Sequence, residues 1–185
     1  MTFLKKEPDI ERYTPPEIVA AVKEALGEID LDPATTELVN STFIRARKYY
    51  TIETDGLSRE KSPWARKVFI NPPGNMPHHE GIDKPRGFWE RLYYEYRERN
   101  VSAGIYLAYN IEFLQRSQNW SYPMTEWPFC IPKNQLIFYR ENKSGKIIAR
   151  DYPEFASAIV YIGQNIRRFA KAFSNIGTVI IPKHI

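Results

Sequence analysis

A chain of 185 residues, 43% hydrophobic and 14% aromatic, has enough apolar side chain for one well-buried core and too little length for two sizeable domains, so a single domain over residues 1–185 is expected. No apolar run approaches the ~20 residues that cross a bilayer, and the opening MTFLKKEPDIER lacks an apolar signal-peptide core, so a chain with no membrane partner, cytoplasmic and intracellular, is expected. The net charge of +4 is unevenly placed: residues 1–132 carry 17 basic and 19 acidic side chains, and residues 133–185 carry 9 and 3, which makes the C-terminal third the candidate polyanion surface or a solvated basic face.

Residues 1–12 are polar and charged and read as a flexible arm. Thr14-Pro15-Pro16-Glu17 combines a Thr cap, a Pro at the first helical position and a Glu at the third, a capping box that predicts a sharp helix start. Ile18, Val19, Val22 and Leu26 form its apolar stripe, and Gly27 is its stop. In Glu28-Ile29-Asp30-Leu31-Asp32-Pro33-Ala34, Ile29 and Leu31 alternate with carboxylates, giving a short strand that leaves Asp32 at its carboxyl end, the edge where open α/β sheets bind ligands. A helix is expected over residues 36–50, with Arg45, Arg47 and Lys48 as a small basic cluster, and Thr54-Asp55-Gly56 reads as a turn.

The apolar run Val68-Phe69-Ile70 predicts a buried strand that stops at Asn71-Pro72-Pro73-Gly74. The two prolines lack backbone donors and restrict φ, so the chain leaves the sheet extended and Asn71 is held rigidly at its edge. An amide side chain beside a proline carbonyl suits a planar exocyclic amino group with two hydrogens; the plain structural reading is a strand terminator with a turn-forming Asn. Residues 74–87 form a polar loop, long enough to be a substrate loop, with Lys84 and Arg86 available to phosphate. His78, His79 and Glu80 are adjacent in that loop and point apart, and the remaining histidine is His184, so no metal site is expected.

Further on, residues 88–100 predict a helix with Phe88, Leu92 and Tyr96 four apart, residues 103–109 a buried strand, and Asn110 the start of another helix. A Pro- and aromatic-rich passage over residues 122–132 contains Cys130, the only cysteine, which excludes an intramolecular disulfide and reads as a buried core thiol. Strands are expected over 135–139, 158–163 and 178–181, a hairpin-like turn over 142–146, and a basic amphipathic helix over 167–173. The alternation of helix and strand predicts a mostly parallel α/β sheet.

Asn71-Pro72-Pro73 resembles the (Asp/Asn)-Pro-Pro-(aromatic) motif of S-adenosylmethionine-dependent amino methyltransferases, which act on adenine N6, cytosine N4 or glutamine N5; Gly74 stands where that family usually has Tyr, Phe or Trp. Tyr13-Thr14-Pro15 resembles the N-terminal motif with which many adenine methyltransferases contact the methionine part of the cofactor. Asp32-Pro33-Ala34 is similar to the family's first cofactor motif, although Thr35-Thr36-Glu37 follow in place of the usual glycines. IDLDPA with Asn40, then Tyr49-Tyr50-Thr51, Asp55-Gly56-Leu57, Trp64 and VFINPP, resembles the order found in phage and prophage DNA adenine-N6 methyltransferases of the Dam type.

That resemblance implies a Rossmann-like class I methyltransferase sheet with an antiparallel C-terminal part. It also implies S-adenosyl-L-methionine as cofactor, DNA as partner, and a phage or prophage origin in a bacterial host. Asn71, Pro72 and Pro73 become catalytic candidates, and Tyr13, Thr14, Pro15, Asp32, Pro33, Ala34 and Asp55 cofactor-binding ones, with Asp55 facing the cofactor's adenine ring. Without an aromatic at position 74, Phe88, Trp89, Tyr109 and Trp120 are the rings available to stack on a flipped base. The alternatives are a methyltransferase-like DNA-binding protein without turnover and a glutamine N5 protein methyltransferase. A short or degenerate DNA target, read by the 74–87 loop and the basic C-terminal third, is expected.

Overall fold

The structure is a computed structural model that describes residues 12–74, 84–153 and 155–183. Helix α1 (Pro16–Leu26) buries Ile18, Val19, Val22 and Leu26, as their spacing predicts, and closes at Gly27, whose N–H donates to Lys23 O at 2.7 Å. Its start differs from expectation. Pro16 rather than Pro15 takes the first helical position, so the cap falls on Pro15, which has no side-chain acceptor; the Pro15 carbonyl accepts from the amides of Ile18 and Val19 instead. The Thr14 capping box is therefore not formed, and Thr14 is buried beside the cavity described below.

Strand β1 (Leu31–Asp32) is short because Pro33 cannot extend its ladder. Helix α2 (Glu37–Val39) runs into one π turn over Asn40–Ile44 and stops, well before the end of the helix expected over residues 36–50. Asn40 is the cause: its buried side chain accepts from Ala46 N at 2.9 Å and donates to Ala46 O at 3.3 Å, folding the chain back through Arg45 at φ 54°. The chain then enters β2 (Lys48–Tyr49).

Strand β3 (Arg66–Ile70) places Val68, Phe69 and Ile70 fully inside. Helix α3 (Lys84–Arg97) starts four residues earlier than expected, with Pro85 in its first turn, where a missing N–H costs nothing. Then come β4 (Val101–Ala108), α4 (Glu112–Ser117) and β5 (Phe129–Pro132). A hairpin of β6 (Tyr139–Glu141) and β7 (Ile147–Ala149) follows, then β8 (Ala158–Gly163), α5 (Ile166–Phe173) and β9 (Gly177–Ile180). Of the strand expected over 135–139, only Tyr139 belongs to one. The strand lies instead in the Pro-rich passage, where Cys130 pairs with Ile159 on one side and Val179 on the other, and Pro132 sits at the last rung, where its missing donor is tolerated.

The seven-stranded sheet has the order β2-β1-β3-β4-β8-β5-β9. The ladders from β2 to β4 are parallel, β8 is antiparallel to both β4 and β5, and β9 is antiparallel to β5. The sheet is thus mixed and mostly parallel, a Rossmann-like α/β arrangement with its antiparallel part at the C-terminal side. Buried apolar side chains from α1 through α5 form one core. Helix α3 packs on β4, with Leu92 against Gly104, and α1 packs with α5. Because β1 lies between β2 and β3, the chain leaves β1 to one side and returns on the other. The crevice at the carboxyl ends of β1 and β3 is the switch point at which such sheets bind ligands.

Candidate functional site

A cavity of about 980 Å³ opens at that switch point. It is lined by Tyr13 and Thr14 ahead of α1, by Asp32, Pro33 and Ala34 at the end of β1, by Asp55, and by Asn71, Pro72 and Pro73 at the end of β3. Four segments far apart in the chain thus converge. Pro15 is the exception among the predicted residues: it caps α1 and does not line the cavity.

Asp32 is 2% exposed, and burial pushes its carboxyl up to about 7, against the partial relief of the Ala34 amide donating to Oδ1 at 3.0 Å. A cationic ligand beside it would favour the ionised form. Asp55 does form the expected turn, with φ 48°, Ser58 N donating to its carbonyl and Leu57 N donating to Oδ1, and the same turn faces the cavity. The residue after it has to be glycine. A Cβ on Gly56 would lie 1.8 Å from Pro33 O, so the Asp55 turn packs backbone to backbone on the Asp32–Pro33 loop.

That packing is fastened from behind by a residue the sequence reading passed over. Arg91 on α3 is 4% exposed and donates to Gly56 O (2.9 Å) and Ser62 O (2.6 Å), while its Nε pairs with Glu95 at 3.3 Å and its guanidinium lies 4.7 Å from the centre of the Trp64 ring. Trp64 Nε1 also donates to Gly56 O. The available signal was an Arg–Glu pair at i,i+4 inside an otherwise apolar helix stripe.

Elsewhere in the lining, Asn71 Nδ2 donates to the backbone carbonyl of Arg12. This fixes the orientation of the amide and leaves Oδ1 buried with no hydrogen-bond partner. An unpartnered buried carbonyl of this kind costs about 1–3 kcal/mol, a cost removed when a donor arrives. Arg12 lines the cavity too, and the backbone of Tyr13 is anchored by reciprocal hydrogen bonds with Tyr139 of β6 (2.8 and 2.9 Å). Lys84 and Phe88, from the first turns of α3, line the cavity as well, with Phe88 stacked on Trp64.

Comparison of the chain with protein-family models, with curated proteins and with solved structures finds no match in any of the three.

Among the described residues no three His, Cys, Asp or Glu side chains are grouped as a metal site, and no helix is long and apolar enough to cross a membrane. The arm up to residue 11, most of the predicted substrate loop with His78, His79 and Glu80, and His184 lie outside the described residues. On the basic face of α5, Arg167 is exposed, whereas Arg168 Nε donates to Glu24 O of α1 at 2.6 Å and is committed to helix packing.

Proposed function

We propose that the protein is an S-adenosylmethionine-dependent methyltransferase acting on adenine N6 in DNA. The observation that carries this reading is the orphaned Asn71 Oδ1, a fixed acceptor at the end of a strand, in the same cavity as Asp32 and Asp55. The volume of about 980 Å³ is at the upper end of small-molecule sites, enough for a cofactor and a base together. The sheet is compatible with the reading as well, since a mostly parallel sheet with an antiparallel C-terminal part is what the resemblance implies.

The residues fit the cofactor. Asp32 and Thr14, near the start of α1, would hold its methionine part, and Asp55, with one carboxylate oxygen on Leu57 N and the other left for a ligand, would accept from its adenine amino group. When bound, S-adenosylmethionine supplies an electrophilic methyl group on a sulfonium. Asn71 Oδ1 and the Pro72 carbonyl accept the two amino hydrogens of the target base. That grip orients a poorly nucleophilic nitrogen and disperses the positive charge that grows on it. An amide cannot remove a proton, so Asn71 holds the hydrogen and the surplus proton leaves to solvent after transfer. The target base must leave the stack to reach this depth, at a cost of a few kcal/mol.

One observation favours a second reading, a DNA-binding protein of methyltransferase form without turnover: Gly74 has no ring, and the Arg12 guanidinium lies against it. Incubation of the purified protein with methyl-labelled cofactor and adenine-containing duplex separates the two. Label in DNA that falls about 100-fold in Asn71→Ala supports the enzyme, and label no higher in the wild type than in that variant rejects it.

A further inference from the structure

The hairpin of β6 and β7 stands apart from the seven-stranded sheet as a sheet of its own. Its base is rooted in the core: Phe138 is 1% exposed and its carbonyl accepts from Arg150 N at 2.9 Å, Ile147 packs against the core, and the Tyr139 ring meets Phe43 edge-on at 5.8 Å. The hairpin is also fastened to the rim of the cavity. Tyr139 exchanges both backbone hydrogen bonds with Tyr13, and Glu141 on the same strand lines the cavity.

The turn at the other end is organised by one side chain. Asn142 Oδ1 accepts from Ser144 N (3.0 Å), Ser144 Oγ (2.8 Å) and Lys146 N (2.9 Å), while Asn142 N donates to Lys146 O at 2.8 Å and Asn142 O accepts from Gly145 N at 3.0 Å. Gly145 takes φ 77°, which side chains rarely allow. A tip held in this way is formed in advance of any partner, so docking it costs little ordering.

Residues 139–150 carry four basic side chains, Arg140, Lys143, Lys146 and Arg150, against one acidic, Glu141. Arg140 and Arg150 have buried Nε atoms near the base, whereas Lys143 and Lys146 at the tip are exposed and neither is paired with an acid among the described residues. Two strands about 4.8 Å apart make a ribbon that the major groove of a duplex, about 12 Å wide, admits. The three residues from Glu141 to Ser144 span at most about 10 Å, so the tip stays within about three base steps of the cavity.

We propose that the β6–β7 hairpin grips duplex DNA beside the cavity, its tip in the major groove and Lys143 and Lys146 on the phosphates that border it. This rests on the reading above that the cavity takes a base from DNA, and it names the element that holds the flanking duplex.

The test uses the full chain and an end-labelled, adenine-containing duplex, titrated at several salt concentrations. Lys143→Gln with Lys146→Gln should weaken binding about tenfold and lower the slope of log affinity against log salt by about 2, because two phosphate contacts are lost. Arg167→Gln with Lys171→Gln, an equal change of charge at exposed positions of α5, should stay within about twofold of the wild type. All four positions are exposed, so both variants should keep the wild-type thermal midpoint. A second duplex, with a bulky sugar on C5 of its cytosines, has its major groove filled and its phosphates untouched; the wild type should bind it about tenfold more weakly, and there the lysine changes should no longer matter. A hairpin variant with wild-type affinity and slope, an α5 variant that loses as much, or a wild type that binds no duplex overturns the grip. A lysine effect of the same size on both duplexes overturns the groove placement. Methyl transfer is read separately: a wild type that grips through the hairpin but transfers no methyl rejects the methyltransferase reading alone, and one that methylates DNA equally well without the two lysines rejects the hairpin alone.

Discussion

Replacing Asp32 by Asn tests the electrostatics of the cavity with a change of one atom. The carboxyl is fully buried and its proton affinity is raised from the ordinary value of 3.8 to about 7, chiefly by desolvation. A raised carboxyl means that the folded chain holds a proton the unfolded chain has already released. Its contribution to stability is therefore fully present below pH 3.8 and is lost as pH rises to about 7, beyond which the curve is flat. A shift of about three units at 1.36 kcal/mol each corresponds to a loss of about 4 kcal/mol, a sizeable share of the 5–15 kcal/mol typical of a domain. The amide in Asp32→Asn would keep the acceptor for Ala34 N and carry no charge, so this variant should gain on the wild type by about that amount between pH 4 and pH 8. The assay is urea unfolding of both proteins across that range, read as a difference so that the other carboxylates cancel. A difference that stays flat with pH would refute the claim that Asp32 is buried without a compensating partner. The same logic applies to the proposed cofactor: S-adenosylmethionine carries net positive charge, so on that reading wild-type affinity for it should rise through pH 7 and the amide variant should lack that rise.

Other expectations concern the supports of the site. Gly56→Ala places a methyl 1.8 Å from Pro33 O, so thermal unfolding should show a loss of at least ~2 kcal/mol together with weakened cofactor binding. Arg91→Met removes the donors to Gly56 O and Ser62 O and strands Glu95 in the core, a cost of about 3–5 kcal/mol by urea titration, which Arg91→Met with Glu95→Leu should partly reverse. Asn40→Ala frees both backbone groups of Ala46 and should cost about 2 kcal/mol in the same titration. Cys130 is fully buried with its thiol pushed up to about 11, so a thiol reagent at pH 8 should label it only at the rate at which the protein unfolds.

What the sequence discloses here is what local chemistry controls. The termination of β3 by Asn71-Pro72-Pro73, the ending of β1 at Pro33 and the apolar stripe of α1 each follow from a few neighbouring residues, whereas the side chains that meet in the cavity were singled out by the resemblance of their motifs to those of amino methyltransferases. What was missed depends on partners distant in the chain. The 36–50 helix is cut short by an Asn40 side chain that competes for backbone groups six residues on. Strand β5 forms in a Pro- and aromatic-rich passage because β8 and β9 supply its ladders. Tyr109 is one of four rings that composition offers, and only the pairing of β4 with β3 brings it rather than Trp89 or Trp120 to Gly74. Arg12 ends the stretch that reads as a flexible arm, and its place on two rings has no sequence signature.

Helix α3 acts at two places along its length. Its opening residues, Lys84 and Phe88, line the cavity, and Arg91, about 10 Å along the axis from Lys84, clasps the loop that carries Asp55. A displacement of this rod would therefore move part of the cavity lining and the Asp55 loop together. Where two ligands share the cavity, as in the proposed function, any coupling carried by that rod is reciprocal, each ligand altering the affinity for the other by the same factor.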